Sequence, residues 1–244
     1  YEIDRAVRLF FATLGKIVDY AQVKDALFGL TVYRHKPTYV HTITVSRLSE
    51  AIARILLEKN PSCFDGCFER RTDDKEEIIA RLGEMAMMHD IGKIGCINFI
   101  QNFSRNLTDD EFGIIKQHPL YGRMFLPEST PRHVMDGVVC HHLWHNGKGG
   151  YPYDLPPTNN QPLVDILSVA DSLDAATDFI GRPYSKAKTV RELAEELNGL
   201  KGTRYAKDVM EALADERLLA EVERIIGPER EALIQEVYNR SGDA

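Results

Sequence analysis

The chain has 244 residues, 43% of them apolar, enough to bury a continuous core in one large domain. Its formal charge of −7 and pI near 5.7, with no basic stripe, argue against a nucleic-acid duplex as the main partner. A small anion held by local cations or metals is compatible with that balance.

The four cysteines, Cys63, Cys67, Cys96 and Cys140, form no paired zinc or redox motif, so we expect reduced thiols in a cytoplasmic setting. No run reaches the ~18 apolar residues of a membrane span, and no signal peptide is recognisable, so no membrane partner is expected for this chain. It begins at Tyr1 rather than methionine, which leads us to expect a fused sensor or signalling domain outside this sequence.

Helical periodicity dominates and strand signals are weak, which predicts an all-α fold. Residues 2–29 read as one or two amphipathic helices, part of a lead-in over 1–30 to a main domain over 31–244. A helix is predicted from Tyr39 to Glu58, striped by Val45, Leu48, Ile52, Ile55 and Leu56, stopping before Asn60 and Pro61. Asp73 or Asp74 caps the next, which runs to about Asp90 with Ile78, Leu82, Met85 and Ala86 inward. The stretch after it is glycine-punctuated and irregular. Thr108 and Glu111 form a capping box for a short helix expected to end near His118, because Pro119 disfavours a helical residue before it. Helices resume at 119–126 and 131–145. Residues 146–162, rich in Gly, Pro and Asn, form a loop long enough to suggest function. Helices follow at about 163–178, 189–198, 205–224 and 228–239, the acidic ones after 189 reading as a solvated face without chemistry.

His41, His89, His118, His141 and Asp171 each lie on an apolar stripe of a separate predicted helix, His41 one helical step before Val45 and the others after their apolar neighbours. One inward histidine is more often a hydrogen-bonded core residue, and one inward aspartate is costly unless paired. Five inward ionisable groups are hard to satisfy by hydrogen bonds alone, and a pair of divalent cations satisfies them together. Asp90 and His142 add adjacent donors. The mixture of imidazole and carboxylate suits Fe, Mn, Zn or Co better than Ca or Mg.

The ordered segments MMHDIGKIG at 87–95, LTDDEFGIIKQHPLYG at 107–122, HHLWHNGKGGYP at 141–152 and SVADSLDAATDFIGRPYSKA at 168–187 resemble the HD-GYP family, a branch of the HD superfamily. The likeness covers about residues 31–210. It implies an all-α HD-superfamily bundle with a metal centre and a long GYP-type loop. It implies hydrolysis of cyclic di-GMP to pGpG or GMP by a hydroxide bridging two divalent transition metals, Fe or Mn foremost, with Zn, Co and Ni as further candidates. Carried over by motif, His41, His89, Asp90 and Asp171 would hold one metal. Asp90, His118, His141 and His142 would hold the other. Lys93 would assist catalysis and contact a phosphate oxygen. Gly149, Gly150, Tyr151 and Pro152 would form the substrate loop, with Arg182 and Lys186 gripping phosphate. A homodimer is a further expectation.

Three departures stand out. Pro37 replaces a glutamate that supports a third metal in some family members, which favours two metals. Leu143 replaces the acid of an HHE triplet, and the GYP loop carries one extra glycine. These changes spare the ligand set and alter the loop. They leave open a slow cyclic dinucleotide receptor, or a phosphodiesterase for cyclic GMP-AMP or another phosphoester. Asp174 is placed to orient a ligand, Trp144 to pack or stack, and His35 and His133 to lie on the surface.

Overall fold

The computed structural model describes residues 2–68, 74–96, 107–152, 155, 158–178 and 188–239. Among these residues no strand is present; the β-like pairing consists of isolated bridges, Leu143 with Gly150 and Lys201 with Tyr205. The all-α expectation holds.

The lead-in forms two helices, α1 (Glu2–Leu14) and α2 (Tyr20–Arg34), the second opened by a capping box between Asp19 and Gln22. The longest helix, α3 (Lys36–Lys59), follows at once, its N-terminus capped by the His35 ring, which accepts from the Thr38 amide. After a 3-10 turn (Pro61–Phe64), α4 (Lys75–Met88) is capped by Asp74, whose carboxylate accepts from the Glu76 and Glu77 amides. A second 3-10 turn (Ile91–Gly95) leads toward α5 (Asp109–Ile115), α6 (His118–Phe125) and α7 (Arg132–Cys140). Beyond the long loop come α8 (Gln161–Thr177), α9 (Val190–Asn198), α10 (Lys207–Leu213), α11 (Glu216–Arg224) and α12 (Arg230–Asn239).

The centre is α3 packed between α4 and α8. Helix α8 buries Leu163, Val164, Ile166, Leu167, Val169, Ala170 and Leu173, and with Asp165, Ser168, Asp171, Asp174 and Thr177 it is buried nearly all round. A helix buried on nearly every side belongs inside a domain. Helix α7 closes one side against α4 and α8. Helices α1 and α6 sit on the second 3-10 turn, and α10, α11 and α12 return onto α3. Phe11, Tyr20, Val23 and Leu27 of the lead-in belong to the same core cluster as Leu48, Leu82 and Leu167.

The structure differs from the sequence expectations at several places. The helix predicted over 131–145 ends at Cys140. The capping-box helix ends at Ile115, and His118 opens α6 with Pro119 in its first turn, where a missing amide hydrogen costs no helical bond. The helix predicted over 205–224 is two helices, because Asp215 caps a new one by accepting from the Arg217 amide. His133 is buried, edge-on to Phe68 and 3.8 Å from the Glu84 carboxylate, rather than on the surface.

Between α11 and α12 the chain passes through a π-type segment, Ile225–Glu229, with Gly227 outside helical geometry and Pro228 within. Proline lacks the amide hydrogen needed to continue the ladder. The resulting turn sends α12 back across the start of α3, where Leu233 and Val237 bury against Val40.

Candidate metal centre

His41 projects from the second turn of α3 and Asp171 from the middle of α8. The other candidate ligands sit at helix ends: His89 ends α4, His118 begins α6, His141 ends α7 and His142 follows it. Asp90 heads the 3-10 turn. Glycine is essential to this convergence, since a Cβ on Gly92 would lie 1.8 Å from the His118 carbonyl oxygen. Only a bare backbone lets the two segments approach so closely.

Placement at helix ends orients the rings. The His89 Nδ1 lies 2.6 Å from the Ala86 carbonyl, His118 Nδ1 2.8 Å from that of Ile115, and His141 Nδ1 2.8 Å from that of Gly137. Carbonyls in the last turn of a helix lack the full set of intrahelical partners. Each therefore accepts a ring N–H, which fixes the tautomer and leaves the Nε2 lone pair for other work. His41 does the same through a side chain: its Nδ1 lies 2.6 Å from Asp174 Oδ2.

The freed Nε2 atoms converge on Asp90, and they divide between its two oxygens. Oδ2 faces His41 at 3.3 Å and His89 at 3.5 Å, and also accepts from Lys93. Oδ1 faces His118 at 3.2 Å and His141 at 3.8 Å. Asp171 spans the gap, with one oxygen 3.2 Å from His41 Nε2 and the other 3.7 Å from His142 Nδ1. Two groups of converging donors result: His41, His89 and Asp90, and Asp90, His118, His141 and His142.

Burial shapes the charges here. Burial opposes ionisation of Asp90 and Asp171, yet the surrounding Lys93 and histidines for Asp90, and His41, His142 and His89 for Asp171, hold both carboxyls well below the usual range. Burial lowers His89, pushes His141 well below its ordinary value and brings His142 to about 3. For His41 burial again acts downward, but Asp171, Asp174 and Asp90 outweigh it and raise its pKa well above the ordinary value. Ionised carboxylates and neutral imidazoles are the forms that bind metal, so His41, unlike His89, His141 and His142, must release a proton when a cation binds.

The donor set fits a divalent cation. His41 Nε2, His89 Nε2 and Asp90 Oδ1 are buried without a hydrogen-bond partner. Leaving such atoms unsatisfied costs about 1–3 kcal/mol each, and a coordinated cation satisfies them together. Burial pushes the Cys96 and Cys140 thiols up to about 12, and neither belongs to the two donor groups.

The loop predicted to carry substrate contacts lies over the second group. The Tyr151 ring centroid is 4.4 Å from that of His142 and 6.2 Å from that of His118, with the Lys116 ammonium 5.9 Å away. Gly150 has φ +91°, and a Cβ there would meet the His142 carbonyl at 2.0 Å. Gly149 packs under Trp144, and its carbonyl accepts from the Trp144 amide at 3.0 Å. Pro152 follows at the half-buried rim. The loop is anchored at a distance: the His145 and Asn146 amides donate to the carbonyls of Arg204 and Thr203, and the His145 ring meets Asp165 at 2.9 Å. Arg182 and Lys186 lie outside the described residues.

Sequence reasoning missed Arg230, which is 5% exposed and bonded to Asp174. Its spacing to Leu233 and Val237 is that of an inward helix face, the one signal that could have singled it out. His35, expected at the surface, is half-buried at the head of α3; burial and the Lys93 ammonium lower its pKa to about 4.

The HD domain family model matches residues 38–176, which include all seven candidate ligands. A cyclic di-GMP phosphodiesterase of Thermotoga maritima is 32% identical over 194 residues, covering 78% of this chain and 48% of that protein. One from Pseudomonas aeruginosa is 29% identical over 205 residues, covering 75% and 45% respectively. The cyclic di-GMP phosphodiesterase response regulator RpfG of Xanthomonas campestris is 30% identical over 194 residues, covering 75% and 50%. The chain thus spans about half the length of the curated relatives it matches. Among the described residues no helix is long and apolar enough to cross a membrane.

Proposed function

Because this chain belongs to the HD domain family, we propose that it is a metal-dependent phosphodiesterase of the HD-GYP branch that hydrolyses cyclic di-GMP to pGpG, GMP or both. The observation that carries the reading is the division of the Asp90 carboxylate, one oxygen toward His41 and His89, the other toward His118 and His141. A carboxylate so divided is suited to bridge two ions. In this reading His41, His89, Asp90 and Asp171 hold the first, and Asp90, His118, His141 and His142 hold the second. The donor chemistry suits Fe, Mn, Zn or Co, and the family resemblance puts Fe or Mn first among them.

When bound, the ions supply a nucleophile from water near neutral pH and positive charge for the phosphate oxygens. The residues of the chain do the rest. Lys93 reaches Asp90 from the 3-10 turn, and its ammonium offsets charge that develops on a non-bridging oxygen. Gly149 and Gly150 bring backbone close to the site, and Pro152 closes the rim. Tyr151, beside His142, offers an aromatic face for a base. Arg182 and Lys186 would hold the phosphodiester for in-line attack. The names of the three relatives support cyclic di-GMP as the substrate.

The test is anaerobic purification, a metal count by elemental analysis, and product chromatography after incubation with cyclic di-GMP, cyclic GMP-AMP and simple nucleotide phosphoesters. About two metals per chain with pGpG or GMP as product is the expected result. Two metals without turnover, even with added Mn²⁺ or ferrous iron, would instead indicate a receptor.

A further inference from the structure

We infer that Arg230, on the C-terminal helix and 54 positions beyond the end of the HD family match, is a positioning residue for the first metal, acting through Asp174 on His41. The inference rests on the proposed role of His41 as a ligand. Its observations are separate from those that define the two donor groups.

Three buried side chains form one line. The Arg230 guanidinium donates from Nη1 to Asp174 Oδ1 at 2.8 Å. The other oxygen of that carboxylate, Oδ2, lies 2.6 Å from His41 Nδ1. On the far side of the ring, Nε2 is buried without a hydrogen-bond partner and faces Asp90 and Asp171. Asp174 is 1% exposed and Arg230 5%, so solvent does not screen the line.

A carboxylate on the remote nitrogen of a ligand imidazole fixes its tautomer and raises its basicity. That carboxylate must itself be held and balanced in a dry interior. Arg230 does both. Its Nη1 also donates to Thr177 Oγ1 at 3.2 Å, and Nη2 to the Thr177 carbonyl at 2.9 Å. The guanidinium is thereby gripped by the last turn of α8, and Asp174 has one orientation. Helix α12 is seated for this task by Leu233 and Val237 against Val40, the residue before His41. The Lys36 ammonium over the Tyr238 ring, 4.9 Å from its centroid, adds a second attachment. A segment outside the family match thus reaches the first ligand of the centre.

The experiment is Mn²⁺ titration of the metal-free full chain, followed by the electron paramagnetic resonance of free Mn²⁺, with helix content and melting followed by circular dichroism. Wild type is expected to bind two ions. In Arg230→Met one of them should bind about 10–100-fold more weakly while the other is unchanged. Arg230→Lys should recover part of the loss, since it restores charge without the planar fork. If Arg230→Met fails to fold, the Asp174→Asn/Arg230→Met double variant, which removes both buried charges, should fold and still show one weakened site. Wild-type affinity at both sites in a folded Arg230→Met or double variant would overturn the inference. So would equal weakening of both sites in step with a lowered melting temperature. His41→Ala separates this result from failure of the underlying reading: if it keeps both sites at wild-type affinity, His41 is not a ligand, whatever Arg230 does.

Discussion

The buried histidine–aspartate centre and the Gly149–Pro152 rim are built in different ways. In the centre each ring of His89, His118 and His141 is oriented by a carbonyl three or four residues earlier in the chain. At the rim the conformation depends on a positive φ at Gly150 and on amides that reach across to Thr203 and Arg204. The orientation of those three rings is local, whereas the rim, like His41 with its partners Asp174 and Arg230, depends on distant segments. Changes at the centre should therefore remove metal, whereas changes at the rim should leave metal in place and affect substrate.

The largest effect is expected for Asp90→Ala, which removes the carboxylate that belongs to both donor groups. Activity should fall more than about 10³-fold, some 4 kcal/mol of barrier. Elemental analysis should find both metals lost and circular dichroism most of the helix kept. Unchanged metal content would sink the assignment. Gly150→Ala should come next, because its Cβ would strike the His142 carbonyl and its φ is unfavourable for alanine. A loop displaced by about 1 Å can cost ~10²-fold in rate, and here the metal count should stay at the wild-type value. If the variant instead loses metal, rim and centre are not separable. Tyr151→Ala is milder. Loss of one base–aromatic stack corresponds to about 1–3 kcal/mol, expected as a raised KM with kcat largely kept. A fall in kcat at constant KM would argue that Tyr151 does not bind the base.

The smallest effect touches neither region. Glu84 on α4 has the His133 imidazole 3.8 Å away, and accepts from Tyr20 and Lys24 at 3.1 and 3.3 Å. His133 foremost, working against burial and aided by Lys24 and Tyr20, holds its carboxyl down to about 2 from an ordinary 4.5. The sign follows from linkage: the stabilisation is complete above the unfolded value and lost as pH falls from 4.5 toward about 2. Glu84→Gln should lower stability at pH 7 by about 1 kcal/mol, discounted for partial exposure, with metal content and turnover unchanged. The gap from wild type should close as the pH approaches 2 in chemical denaturation. A gap independent of pH would refute the ionic origin.

The candidate centre was legible in the sequence because five of its residues lie at helical spacing on apolar stripes, His41 ahead of its stripe and His89, His118, His141 and Asp171 behind theirs. Its motifs also gave the family. What stayed hidden was set by distant partners. Nothing near Gly149 announces that Thr203 and Arg204 anchor the loop, and nothing near His41 announces Arg230. The helix boundary near His118 was misread because a proline signals a start as readily as a stop, and here Pro119 lies in the first turn of α6. His133 was placed at the surface because its partners, Phe68 and Glu84, come from elsewhere in the chain.

Helices α4 and α7 both direct their C-terminal ends at the centre, with His89 and His141 as their final caps. The macrodipole of a helix places roughly half a negative charge at that end. Two such ends, added to Asp90 and Asp171, favour cations at the centre, with the Lys93 ammonium on Asp90 opposing them. Under the proposed function, ions are expected to arrive first and the phosphodiester second. Calorimetric titration should find cyclic di-GMP scarcely bound by metal-free protein and captured once the ions are in place; equal affinity in the two states would mean that the nucleotide docks away from this negative end-on field.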